Sequence, residues 1–353
     1  MLPSIFILVI LVFSFNACTK KIIKSPTAEE LILFPSPPDS ARIQFLTYIN
    51  SSENIARPQS GFKKFFLGEE EPRPINRPYG IQVTKNSIYI CDPGIGGLEI
   101  INLKKGTFEY FKPSGKGQLK LPLNCFVDEF HYLFVADGER RQVVVFDHML
   151  KYVTALGGTR NFKPTGVWVK DEKIYVANVS GHKIFVYDLL DYNLIDSFPN
   201  LSPESKGYLN QPVNISSSNE NIYVTDFGGF NIKSFSPDGS FKGITGNYGK
   251  GFGQFTRPKG IALDKDENLY AVDAAFENVQ IFNKDGALLM FFGGHGNMSL
   301  PAGVAISYDN LDYFEPYVYK DFNLKFLIYV TNQFGPNKIG VYGFVEEKTS
   351  INE

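Results

Sequence analysis

Of 353 residues, only three are cysteine and four are histidine. Three thiols, at Cys18, Cys91 and Cys125, cannot build a disulfide scaffold, so the fold has to rest on burial. The histidines, His131, His148, His182 and His295, are scattered, whereas zinc catalysis needs about three convergent ligands. Neither a His-Glu-x-x-His pair nor a Gly-x-Ser-x-Gly nucleophile turn occurs. The uncharged apolar segment 5–15 is too short to span a bilayer as a helix, for which roughly 17 to 25 residues are needed. A formal net charge of -2 argues against a general phosphate-binding surface, and no nucleic-acid partner is expected.

What the chain has in quantity is turn formers and aromatics: 32 Gly, 21 Pro, 32 Phe and 19 Tyr. They are arranged in a repeat. Pro78, Pro122, Pro164, Pro212, Pro258 and Pro301 start units 42 to 48 residues apart. Two residues on stand Gly80, Asn124, Gly166, Asn214, Gly260 and Gly303, types that accept a positive φ cheaply. A second apolar run in each unit ends in Asp92, Asp137, Asn178, Asp226, Asp273 or Asn332. Asp238-Gly239 and Asp285-Gly286 suit hairpins between third and fourth strands. This period and strand content predict an all-β fold, a six-bladed β-propeller of four-stranded antiparallel blades. The last unit runs out after its third strand near Phe344, and the run 42–49 precedes the first repeat. Pairing these two would close the ring and remove an exposed edge.

The units resemble the NHL-repeat family: proline, glycine, an apolar strand, a Tyr-Val-Ala-Asp type strand and an Ile-x-Val-Phe type strand. Blade five, from Pro258 through Asp273 to Phe282, matches best, and the resemblance covers about residues 42–345. The stretch 330–344 is similar to the last blade of bacterial NHL-repeat lipoproteins. Asn178 and Asn332 replace the usual Asp, and most loops after the second strand lack the family's Asn-His-Arg stretch. Function does not follow from this resemblance, because the family spans lyases, hydrolases, RNA binders and protein-binding scaffolds.

The segment 5–15 suits the apolar core of a signal peptide, and Ala17-Cys18 resembles the lipobox of bacterial lipoproteins. That resemblance implies a signal peptide over 1–17, lipidation of Cys18 and a membrane partner engaged through the N-terminal lipid. Thr19 in place of Asp implies a cell-envelope location at the outer membrane, facing the periplasm or the outside. An ordinary cleaved signal or a membrane-buried segment is the competing reading. Residues 18–41, rich in Lys, Pro and Ser, are expected to be a tether, with the propeller over 42–345 and a polar tail over 346–353. Whether Cys91 and Cys125 are bonded is left open.

The repeated Asp residues invite an acid/base reading. One residue per blade at one position is more economically a turn former that bonds backbone N–H groups. Asp264-x-Asp266-x-Asn268 begins like a calcium loop but continues with Leu269 instead of Gly, so a polar hairpin is expected there. No catalytic residue, cofactor or metal is assigned. Propellers bind through the loops joining second and third strands, and here those loops carry Arg140, Arg141, His182, Phe227, Phe230, Phe276 and Phe334. Arg and aromatic side chains are the types that anchor interfaces. The expected role is a binding scaffold for a protein, peptide or glycan. The alternative is a metal-dependent lyase or lactone hydrolase working at the mouth of the central channel. An insertion over 308–325, rich in Tyr, Phe and acidic residues, either projects as a second contact surface or packs its aromatics on its own blade.

Overall fold

A computed structural model describes residues 26–27, 30–55, 71–294 and 296–348, and within them the chain forms six antiparallel sheets. Blades one to five each hold four strands in sequence order. Their first strands are Ile81–Val83, Pro122–Val127, Pro164–Lys170, Pro212–Ser217 and Pro258–Leu263. These lie side by side around the ring axis. Three of the second strands, Leu133–Asp137, Ile222–Asp226 and Leu269–Asp273, are buried along their whole length.

Period-2 geometry explains those continuous apolar runs, since successive side chains face opposite neighbours. Phe134 and Ala136 pack toward blade three, while Leu133 and Val135 pack toward blade one. The same alternation repeats around the ring and produces six hydrophobic clusters, one at each junction between blades, including that between blades six and one. Burying a Val-, Leu- or Phe-sized side chain is worth about 1.5–3 kcal/mol, so these junctions hold the ring together. Cys91 and Cys125 are buried free thiols at the junction of blades one and two.

The sixth sheet contains the closure. Ile43–Ile49 pairs with Ile339–Glu347, with Ile43 opposite Phe344 and Ile49 opposite Ile339. Inside it follow Phe322–Asn332 and Pro301–Ser307. Two features were not expected. Leu33–Phe34, within the stretch read as a tether, adds a fifth, outermost strand. The last strand also runs on to Glu347.

The glycines two residues after each repeat proline are needed for a different reason from the one expected. None of Gly80, Gly166, Gly260 and Gly303 has a positive φ. A Cβ on Gly303 would stand 2.5 Å from the Tyr79 carbonyl oxygen of blade one, and one on Gly80 2.6 Å from that of Leu123 in blade two. Close approach of inner strands near the axis excludes a side chain at Gly80, Gly260 and Gly303, whereas blades two and four have room for Asn124 and Asn214 at the same position. The Asp-Gly turns behave as expected: Gly239 and Gly286 have φ of 82° and 80°, and their N–H groups donate to Ser236 and Asn283.

The insertion of blade six folds back on the ring. It makes a short helix, Leu311–Phe314, whose Phe314 is fully buried in the junction of blades six and one. Gln44 fastens it to the closing strand, donating to the Tyr317 carbonyl at 2.9 Å and accepting from the Tyr319 N–H at 3.0 Å.

Candidate functional site

Antiparallel order places the loops between second and third strands at the same end of the ring as the entries to the first strands. The repeated Asp residues hold this end together. Asp92 accepts from the N–H groups of Asn76 and Arg77, both at 2.8 Å, and of Gly94 at 2.7 Å. Asp137 accepts from Lys120, Leu121, Glu139 and Arg140, and Asp273 from Thr256, Arg257, Ala275 and Phe276. Asp226 takes the N–H groups of Asn210 and Gln211, plus the Lys233 ammonium at 2.6 Å. Each carboxylate ties the loop after its own strand, the entry to the first strand, or both. Asn178 and Asn332 do part of this with one amide oxygen, accepting from Lys163 at 2.8 Å and Ser299 at 3.1 Å.

That scaffold positions the seven candidate side chains on one face, in five different blades. Arg140 is spent on structure: its guanidinium donates to the carbonyls of Lys116 and Gln118 and to the Gln142 side chain. Arg141 is exposed, with φ of 56°, and donates to the Arg160 carbonyl at 3.3 Å. His182 is exposed, its Nδ1 2.6 Å from the Asn210 carbonyl oxygen and its ring stacked on Tyr208. Phe227, Phe230 and Phe276 are half-buried, and Phe230 packs edge-on against Tyr248. Phe334 is 52% exposed, with the Arg77 guanidinium 5.7 Å from its ring centre.

The residues missed were those directly after the repeat prolines. Tyr79, Leu123, Thr165, Val213, Lys259 and Ala302 stand at the start of the inner strands, at this end. The small Ala302 of blade six allows Lys259 of blade five to reach Tyr79 of blade one, with its ammonium 4.8 Å from the ring centre. Lys259 is only 9% exposed. Burial, reinforced by the positive charges of Arg257 and Arg77, pulls its pKa down to about 8. Aligning the repeats would have put these six residues in one ring, but their types do not repeat, so the proline pattern alone does not flag them.

A cavity of about 370 Å³ lies along the axis toward the opposite end. Its walls are the inner strands and the hairpins that follow them, including Ser218, Asn219 and Asp264. The size suits a small ligand. Asp264 is committed to its hairpin, as expected: it accepts from the N–H groups of Asp266 and Asn268 at 2.9 Å, the Asn268 amide and the Tyr270 hydroxyl. Among the described residues no three His, Cys, Asp or Glu side chains are grouped to hold a metal ion. Glu99, in the third strand of blade one, is fully buried with both carboxyl oxygens unbonded. Burial and the neighbouring Asp92 push its pKa up to about 10, so it carries a proton at neutral pH. Cys18 and His295 lie outside the described residues.

No family model and no curated protein matches the chain. Solved structures do. A protein of unknown function from Bacteroides thetaiotaomicron aligns with a TM-score of 0.58 at 14% identity, over 86% of this chain and 76% of that one. Virginiamycin B lyase from Staphylococcus aureus, in a catalytically inactive form with quinupristin, aligns with a TM-score of 0.52 at 14% identity, over 76% and 95%. A streptogramin B lyase gives 0.51 at 13% identity, over 76% and 83%. At such identities the similarity is one of fold. The chain is a six-bladed β-propeller.

Proposed function

We infer that the protein is an NHL-type, lipid-anchored envelope propeller that binds a protein, peptide or glycan partner through the face carrying the loops between second and third strands. One observation carries this reading. The carboxylates of Asp92, Asp137 and Asp273 are consumed by backbone N–H groups, Asp137 fixing the loop that presents Arg141, while His182 is held against the Asn210 carbonyl and the Tyr208 ring and Phe334 lies exposed beside Arg77. A rigid platform with exposed Arg, His and Phe side chains suits recognition, since such residues anchor interfaces at low ordering cost. The lipid anchor rests on the apolar segment 5–15 and on Ala17-Cys18, and with it the outer-membrane location.

Two experiments test the two halves separately. Cys18→Ser should move the protein from the membrane fraction to the soluble one; unchanged sedimentation with membranes would remove the anchor. Affinity capture from a crosslinked envelope fraction should lose its specific partner in an Arg141→Ala, His182→Ala, Phe334→Ala triple variant. It should keep that partner in Phe130→Ala, which alters an exposed side chain in a hairpin between first and second strands. The same partner yield from all three proteins would end the loop-face reading. A thermal shift induced by a divalent ion would instead favour a metal-dependent lyase or lactone hydrolase.

A further inference from the structure

The mouth of the ring on the loop face gathers three cations, Lys259, Arg77 and Arg257. Lys259 is nine-tenths buried there, and its ammonium has no hydrogen bond and no carboxylate partner among the described residues. The ammonium stands over the face of Tyr79. Arg77 and Arg257 stand at the entries to the first strands of blades one and five, both exposed at the rim, and both are near enough for their charges to act on Lys259 and on Tyr79. Elsewhere in the ring a buried cation is matched: Lys233 pairs with Asp226 at 2.6 Å. Taking an ammonium largely out of water without a carboxylate partner is unfavourable, and a protein normally supplies a carboxylate or changes the residue. At this mouth the repeat carboxylate of the same blade, Asp273, is already engaged by four backbone N–H groups.

We propose that Lys259, Arg77, Arg257 and the Tyr79 hydroxyl form a binding site for an oxyanion, the carboxylate or phosphate group of a ligand seated at the centre of the loop face. An ammonium and two guanidinium forks supply charge-assisted donors with the geometry oxyanions take. Phe334, lying over Arg77, provides an apolar wall beside the charge, suited to the uncharged body of the same ligand. Lys259 and Tyr79 are not among the residues that line the axial cavity, whereas Arg77 and Arg257 are exposed at the loop-face rim. The inference deepens the binding reading of this face and rests on it.

The test titrates the full chain with inorganic phosphate and, separately, with D-glucuronate, in chloride buffer of constant ionic strength, by calorimetry and by protection of Lys259 from an amine-modifying reagent at pH 8. Saturable binding of at least one anion is expected, with protection of Lys259. Affinity should fall at least tenfold in Lys259→Met and in the Arg77→Gln, Arg257→Gln double variant, whose substituted side chains are exposed and leave the blade packing intact. Phosphate alone binding assigns a phosphorylated ligand; glucuronate alone assigns a carboxylate. No saturable binding of either anion, or equal binding by wild type and the double variant, would overturn the site. A partner captured through His182 and Phe334 from a chain indifferent to both anions would sink this inference and leave the binding reading standing. Anion binding without any such partner would do the reverse.

Discussion

Glu99→Gln should change how stability depends on pH. Glu99 occupies the position that Lys233 holds in blade four and Gln280 in blade five. There Lys233 pairs with Asp226, and Gln280 bonds Gly253 and Gln254. In blade one an acid sits beside Asp92 with no donor to receive it, and its pKa rises to about 10 from an ordinary value of 4.5. Between those limits the native state binds one proton that the unfolded chain has lost. The stabilisation this proton represents is therefore complete below about pH 4.5 and is lost as pH rises toward 10. One proton corresponds to about 1.4 kcal/mol per pH unit. Gln keeps the shape and carries no titrating proton, so the stability of the variant minus that of wild type should grow by about 4 kcal/mol from pH 5.5 to 8.5. With an m-value of about 3 kcal/mol/M, the urea midpoints should separate by about 0.5 M per pH unit. Parallel pH profiles for the two proteins would refute the buried, protonated state of Glu99.

Three further substitutions probe other parts of the account. Gly303→Ala places a methyl against the backbone of blade one and should cost about 1–3 kcal/mol in thermal or urea unfolding; an unchanged midpoint would mean the inner strands have room to move apart. Lys233→Met strands the buried Asp226 carboxylate without its cation and should cost about 3–5 kcal/mol, a loss readable by calorimetry. Lys259 has its pKa depressed to about 8, so the unfolded chain holds the extra proton between that value and about 10.5. Wild-type stability should accordingly gain up to about 1.4 kcal/mol per pH unit across that window relative to Lys259→Met, and a constant difference would contradict the burial of its charge.

The ring was legible because its parts repeat. A proline opening each inner strand and an acceptor ending each second strand recur at blade spacing, and the missing strand of the last unit pointed to the run 42–49, which does close the sheet. The same regularity made the structural duty of Asp92, Asp137, Asp226 and Asp273 readable, since a side chain needed in every blade serves the blade. The glycines were recognised but misexplained: backbone conformation is a local property, whereas the approach of Tyr79 to Gly303 exists only once the ring is closed. Lys259 and Glu99 escaped for a related reason. The position of each carries a different residue type in every blade, so no repeat flags it, and the companion of Lys259 is remote in the chain: Tyr79 lies two blades on, across Ala302. The insertion of blade six was open between projecting and packing, and Gln44 on the closing strand settles it by bonding both Tyr317 and Tyr319.

The most direct measurement of the binding claim is site-specific photo-crosslinking in intact cells, with the photoreactive amino acid placed in turn at His182, Phe230 and Phe334 on the loop face and at Phe130, Asn219 and Lys265 on the opposite face. The account predicts one common adduct from the first three positions and none from the second three. Adducts confined to Phe130, Asn219 and Lys265 would place recognition at the axial cavity end and contradict it.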